Sequence, residues 1–309
     1  MTAVVLGAAG GIGAHVVEAL LAQGRSVRAV TRTATPLSDG VEPVLADLRD
    51  PAALRAAVAG ADVVVHAAQP AYTRWPQEFP ALTAAIADAA EGTRLVFADN
   101  LYGYGPVDGP LTEDLPGAAT DVKGRVRVAM AEDLLRRHRA GRLEVVLGRA
   151  SDYFGPRGTN TTAGDTVVPA VIAGRTVRVV GATGVPHSWS YLPDVGRALA
   201  MLVDAPAGRA YHLPVGPPCS QQELADALAR AAGRDRARLS ALPGPLHRVL
   251  ALGHPMLREL LGTRYQFTAP FVVDDSRFRR EVGPFAPTPL DEAAAATVAW
   301  FRARAGSPG

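Results

Sequence analysis

The chain has 309 residues, of which 48% are apolar and 20% charged, and 32 Lys and Arg face 30 Asp and Glu for a formal charge of +2. Such a composition builds a sizeable core and excludes a disordered chain or an electrostatic nucleic-acid binder, while the length suits two lobes or one large α/β unit. The single cysteine, Cys219, excludes an intrachain disulfide framework and suits a reducing compartment.

The first 22 residues are the most apolar segment, but no basic stretch precedes them, His15 and Glu18 interrupt them, and glycines recur every three residues. They read as a buried strand, a turn and a helix. No stretch approaches about 18 uninterrupted apolar residues, so the expectation is a cytoplasmic protein with no membrane partner. In chain order, strands are expected at Ala3–Leu6, Ser26–Thr31, Glu42–Leu45, Val63–His66, Arg94–Ala98 and Leu143–Leu147. Helical patterns alternate with them at Gly13–Gln23, Pro51–Ala59, Phe79–Glu91 and Asp121–Arg139. The alternation predicts a doubly wound Rossmann-type parallel sheet, an α/β fold covered on both faces. Beyond Gly155 the pattern breaks at Pro- and Gly-rich turns, and helices at Gln221–Ala232, around Pro245–Leu261 and at Leu290–Arg304 predict a smaller C-terminal capping lobe for substrate. The expected division is 1–165 for a nucleotide-binding domain to which 187–213 returns, with 166–186 and 214–309 forming the cap.

Directly after the first strand, Gly7, Ala9, Gly10, Gly11, Ile12 and Gly13 form a G-x-x-G-x-x-G turn that opens a helix. Glycines permit the tight turn and let a pyrophosphate approach the main chain, and the helix N-terminus offers free N–H groups and partial positive charge. This predicts a dinucleotide site. The second strand ends Thr31–Arg32, with no carboxylate to accept from both ribose hydroxyls. Arg32 offers a guanidinium to a 2′-phosphate instead, so NADP(H) is the expected cofactor and NAD(H) the second choice.

Together with this turn, Ala46–Asp47–Leu48, the run Gly60 to Ala68, Leu101–Tyr102–Gly103, Tyr153–Phe154–Gly155–Pro156, Ser190 to Val195 and Thr297 to Phe301 resemble, in order and spacing, an extended short-chain dehydrogenase/reductase of the NAD-dependent epimerase/dehydratase type. The resemblance covers nearly the whole chain. It implies that Asp47 and Leu48 contact adenine, that Ala67 and Ala68 line the cofactor, and that Asn100, Tyr102, Tyr153 and Trp189 border the substrate. A homodimer through the helix at Asp121–Arg139 is implied too, with Val122, Val126 and Ala129 at the contact.

The catalytic positions depart from that family. Its Ser or Thr falls on Ala98, and counting back from Glu132 puts its Tyr-x-x-x-Lys on Gly124 and Val128. The usual proton relay is therefore missing, since the tyrosine acts as acid or base and the lysine lowers its pKa. Asp99 matches one half of the acid–base pair of the family's dehydratases and is the first candidate for replacement chemistry, with Tyr191 and His187 behind it. Lys123 and Arg127, four apart on the helix, are expected to be solvated. No histidine or cysteine spacing suggests a metal. The expected function is an NADP(H)-binding enzyme acting on a small hydroxylated or carbonyl-bearing metabolite, by non-standard reduction, epimerisation or redox-neutral dehydration, isomerisation or cyclisation. The alternative is a catalytically silent NADP(H)-sensing protein.

Overall fold

The computed structural model describes residues 1–253 and 255–306. Seven parallel strands form the central sheet: β1 (Thr2–Leu6), β2 (Ser26–Thr31), β3 (Val41–Leu45), β4 (Val63–His66), β5 (Arg94–Asn100), β6 (Glu144–Ala150) and, after short strands β7 (Asp152–Phe154), β8 (Val177–Val180) and β9 (Trp189–Tyr191), β10 (Arg209–His212). Their spatial order is β3-β2-β1-β4-β5-β6-β10. The inner strands are nearly unbroken Val and Leu because both faces are covered. Val4, Leu6, Val64, Leu95 and Phe97 face α2 (Pro51–Val58), α3 (Trp75–Ala89) and α4 (Val122–Arg139), while Ala3, Val5, Val63, Val65 and Val96 face α1 (Gly11–Ala22). After the short α5 (Val168–Ile172), α6 (Leu192–Met201) packs beside α1 on that second face.

The rest of the chain adds α7 (Gln221–Ala231), strand β11 (Leu239–Leu242) paired in parallel with β8, then α8 (Gly244–Gly253), α9 (Pro255–Thr263), α10 (Ser276–Glu281) and α11 (Leu290–Gly306). A separate apolar cluster of Val168, Val171, Leu224, Leu228, Val298 and Phe301 is the core of this smaller lobe. Asp50 and Asp121 cap α2 and α4 by accepting from the backbone N–H groups of Ala52 and Gly124, and Ser220 with Glu223 forms a capping box on α7. In contrast α1 starts at Gly10 with no side-chain cap and no acid in its first turn.

Several expectations change. β5 runs through Asn100, so Asp99 and Asn100 lie within the strand and point to opposite faces. Pro76 sits in the first turn of α3, which lets that helix start at Trp75, ahead of Phe79. The single helix expected around Pro245–Leu261 is two, α8 and α9. Phe278 and Phe285, placed in the cap by sequence, join the cluster of Ala3, Val5 and Tyr211, because burying two phenyl rings against the sheet outweighs the lobe division. Among the described residues no helix is long and apolar enough to cross a membrane.

Candidate active site at the strand ends

The glycine turn lies at the C-terminal edge of the sheet. The N–H groups of Gly7 and Ala8 donate to Val30 O at 3.2 and 3.1 Å, and that of Ala67 to Leu6 O at 3.0 Å, which brings the ends of β1, β2 and β4 together. At Gly7, φ is +84° and a Cβ would stand 2.7 Å from the Ala68 backbone; at Gly13 it would stand 2.2 Å from Gly7 O. These two glycines hold the turn itself, whereas at Gly10 the nearest neighbour of a Cβ is 3.3 Å away and at Gly11 it is the Arg157 carbonyl at 2.9 Å. A side-chain-free turn leading into an uncapped helix N-terminus fits an anionic diphosphate. Arg32 is exposed just beyond β2. Asp47 follows β3, and its carboxylate accepts from Arg49 at 3.0 and 2.6 Å, a pairing that holds its pKa down to about 2. Leu48 packs against the neighbouring core.

On α4 the structure shifts the register by one residue. A Cβ on Gly124 would stand 2.2 Å from Ala119 Cβ and 2.6 Å from Tyr102 O, and Val128 fills the space against Gly103 and Gly117. Val128 lines a pocket with Asp99, Arg127 and Arg149 but offers it only an apolar side chain. The inward positions are Lys123 and Arg127, which keep the four-residue spacing and, against the expectation of solvated cations, are 2% and 4% exposed. Lys123 Nζ lies 2.9 Å from Glu259 Oε2 on α9, donates to the Tyr72 carbonyl and sits 4.0 Å over the Tyr72 ring. The Arg127 guanidinium lies 4.3 Å over Trp75 and 4.7 Å over Phe79, and meets Asp99 Oδ1 at 3.3 Å. Burial lowers its proton affinity and Asp99 opposes the loss.

Asp99 does not stand free toward a substrate. Its second oxygen accepts from Arg149 Nε at 3.1 Å, so one carboxylate serves two buried guanidiniums. Arg149 also donates to Tyr104 Oη at 2.6 Å, which lies 2.7 Å from His212 Nε2, and His212 Nδ1 meets Asp274 O at 3.1 Å. Since a carbonyl only accepts, Nδ1 carries the proton and Nε2 accepts from the phenol. Nor does Asp99 bond the backbone of the following turn: Asn100 Oδ1 does so, accepting from Tyr102 N at 3.2 Å.

Beyond these charges the strand ends open on a set of neutral groups. Burial pushes up the phenols of Tyr72, Tyr102, Tyr153 and Tyr265, Tyr72 to about 12, and the Asp152 charge adds to it in all four, after Tyr72 for Tyr102, Asp99 for Tyr153 and Asp121 for Tyr265. Ser151 Oγ, Arg127 Nε, Asp152 Oδ2 and His187 Nε2 are buried with no hydrogen-bond partner among the described residues, while side-chain contacts link Tyr72 to Tyr102 and Thr263, and Tyr265 to Gln266. Two expected residues lie elsewhere. Tyr191 packs on Phe154, and its charged neighbours are Asp194, Glu292 and Arg197 rather than the cleft. Trp189 is spent in the cap core, its indole N–H donating to Cys219 O at 3.0 Å. Sequence reasoning passed over Asp152, although it adjoins Tyr153. Tyr72, Tyr265 and Gln266 sit in 3₁₀ turns that carry no periodic signal.

The sequence profile of the NAD-dependent epimerase/dehydratase family matches residues 3–213. The chain belongs to that family. It is 26% identical to sterol demethylase protein B of Methylococcus capsulatus, over 98% of this chain and 99% of that protein. It is 27% identical to a dTDP-glucose 4,6-dehydratase of Streptomyces griseus, over 67% of this chain but only 56% of that protein's length. In fold it is similar to the UDP-glucose 4-epimerase of Bifidobacterium longum, solved with NAD+ and UDP, with a TM-score of 0.79, 21% identity and 99% of each chain covered. In this member of the epimerase/dehydratase family, helix α4 buries two cations, Lys123 and Arg127, on its inward side.

Proposed function

We propose that the protein is a nicotinamide-dinucleotide enzyme, with NADP(H) preferred over NAD(H), that acts on a small hydroxylated or carbonyl-bearing metabolite without a Tyr–Lys relay. The observation that carries this reading is one of place. The uncapped glycine turn and the buried polar atoms without partners open at the same C-terminal edge of the parallel sheet, where doubly wound folds bind their ligands. When bound, the dinucleotide supplies a hydride donor or acceptor. The backbone N–H groups at Gly11 to Gly13 hold its diphosphate, Ala67 and Leu48 flank its adenosine half, and Arg32 pairs with a 2′-phosphate.

The test is a calorimetric titration of the purified protein with NADPH and NADH. Gly10→Val falls on the turn glycine with the most room, where a Cβ meets only Gly7 O at 3.3 Å, and should abolish binding of both. Arg32→Ala should cost roughly tenfold in NADPH affinity, the scale of one charge-assisted contact at an exposed site, and leave NADH unchanged. Equal affinity of the wild type for both nucleotides would sink the NADP(H) preference, and unchanged binding by Gly10→Val would sink the site.

A further inference from the structure

We infer that His187, with Asp152 beside it, is the proton-handling group of this cleft, an inference that rests on the enzymatic reading above. His187 is buried, and its ring is fixed in plane by Phe267, stacked at 4.7 Å and 16°, by Phe271 at 5.3 Å and 19°, and by Trp189 at 4.6 Å. Nδ1 lies 3.1 Å from Gln266 O, an atom that only accepts, so Nδ1 carries the proton and Nε2 is left with its lone pair. Nε2 stands 3.1 Å from Asp152 Oδ2, yet the two are out of line and neither atom has a hydrogen-bond partner. The other Asp152 oxygen is pinned by Thr162 Oγ1 at 2.8 Å.

The arrangement leaves a fixed ring nitrogen with no hydrogen-bond partner, next to a buried carboxylate. A buried nitrogen without a partner is costly, and a ligand atom hydrogen-bonded there would relieve that cost. The Tyr72 and Tyr265 hydroxyls and the Gln266 amide nearby are neutral and suited to holding a substrate oxygen rather than to taking its proton. The competing groups are already engaged: Asp99 by two guanidiniums, and the Lys123 ammonium by Glu259, the Tyr72 carbonyl and the Tyr72 ring. In the step assigned to His187, the O–H bond of a substrate hydroxyl breaks and an Nε2–H bond forms, leaving imidazolium facing carboxylate. The reverse transfer returns the proton to a carbonyl or leaving oxygen, and in a net reduction solvent replaces it.

Two measurements test this. Long-range nitrogen–proton NMR in mildly alkaline buffer, with the His187 signals assigned by their loss in His187→Asn, should show Nδ1 protonated and Nε2 bare; an Nε2–H tautomer overturns the inference and needs no substrate to be seen. In His187→Asn the amide nitrogen takes the place of Nδ1 toward Gln266 O, so NADPH affinity and Tm should stay near wild type. Turnover of the best compound from an alcohol and carbonyl panel, followed by nicotinamide absorbance, should drop at least about a hundredfold, with added imidazole restoring part of it. Undiminished turnover overturns the inference, as does a loss that imidazole leaves untouched. Should His187→Asn not fold, Asp152→Asn keeps the shape and removes the charge; it should lower turnover at least about tenfold at unchanged NADPH affinity, and an unchanged rate counts against the couple. A wild type that binds no NADPH defeats the enzymatic reading alone, and the tautomer still decides on His187.

Discussion

At Asp99 one carboxylate, 2% exposed, lies between Arg127 and Arg149, so its charge is already committed inside the fold. Removing one member of a buried ionic cluster leaves the others uncompensated, at a cost of about 3–5 kcal/mol. Asp99→Asn should therefore lower the free energy of unfolding in urea by about 3 kcal/mol, and any loss of turnover should follow that instability. A variant as stable as wild type would show that the guanidiniums do not depend on Asp99. Two buried histidines set the acid response. Burial, aided by Arg127, lowers His66 from 6.5 to about 3, and burial, aided by Arg149, lowers His212 to about 4. Between those values and 6.5 the unfolded chain binds protons that the fold refuses. Their contribution is thus complete above pH 6.5 and is lost as pH falls toward 4, on the order of 3 kcal/mol for each. Denaturation measured at a series of pH values should show that decline, and His66→Gln should flatten part of it; an identical slope in the variant would remove His66 from the explanation.

Helix α4 decides what the site contains. Counted from Glu132, its inward residues are Gly124 and Val128, but the loop after β5 crosses the helix so closely that Gly124 has no room for a side chain, and the helix turns Lys123 and Arg127 inward instead. The glycine is therefore a packing residue. Ala has the higher helix propensity by about 1 kcal/mol, yet its Cβ would stand 2.2 Å from Ala119 Cβ and 2.6 Å from Tyr102 O. The clash with a backbone carbonyl outweighs the propensity, so Gly124→Ala should lower Tm. A rise in Tm would mean that the 117–119 loop yields freely and that the α4 register leaves room for a side chain.

Across the whole molecule, α4 is where a second copy is expected to dock. Val122 is 50% exposed, and Val126, partly buried against the core, and Ala129 lie on the same side, about a third of a turn from Lys123 and Arg127. An apolar stripe on a helix whose other face is fixed to the sheet suits a self-complementary contact with a second copy. Light scattering at micromolar concentration should give a dimer mass for the wild type and a monomer mass for Val122→Glu combined with Ala129→Glu. A monomeric wild type would refute the contact, and a dimeric double variant would place it elsewhere. The same helix ties the halves together on its inner side, because Lys123 pairs with Glu259 of α9.

Local pattern alone was enough for the sheet and the cradle. Val4, Val64 and Val96 lie in runs that only a two-faced parallel sheet buries, and Gly7 to Gly13 stand between strand and helix in a turn whose backbone contacts leave no room for a Cβ at Gly7 or Gly13. The cleft was not legible in that way. Asp152, Gln266, Tyr72 and Tyr265 come from separate turns and short strands, and nothing local marks them, since their chemistry arises from burial beside one another and beside His187, the one of the group that the sequence named. The same holds for Asp99, whose two arginine partners lie 28 and 50 residues away. Periodicity reports which face of an element is apolar. Which charges meet, and which polar atoms are left without a partner, is decided by how those elements pack.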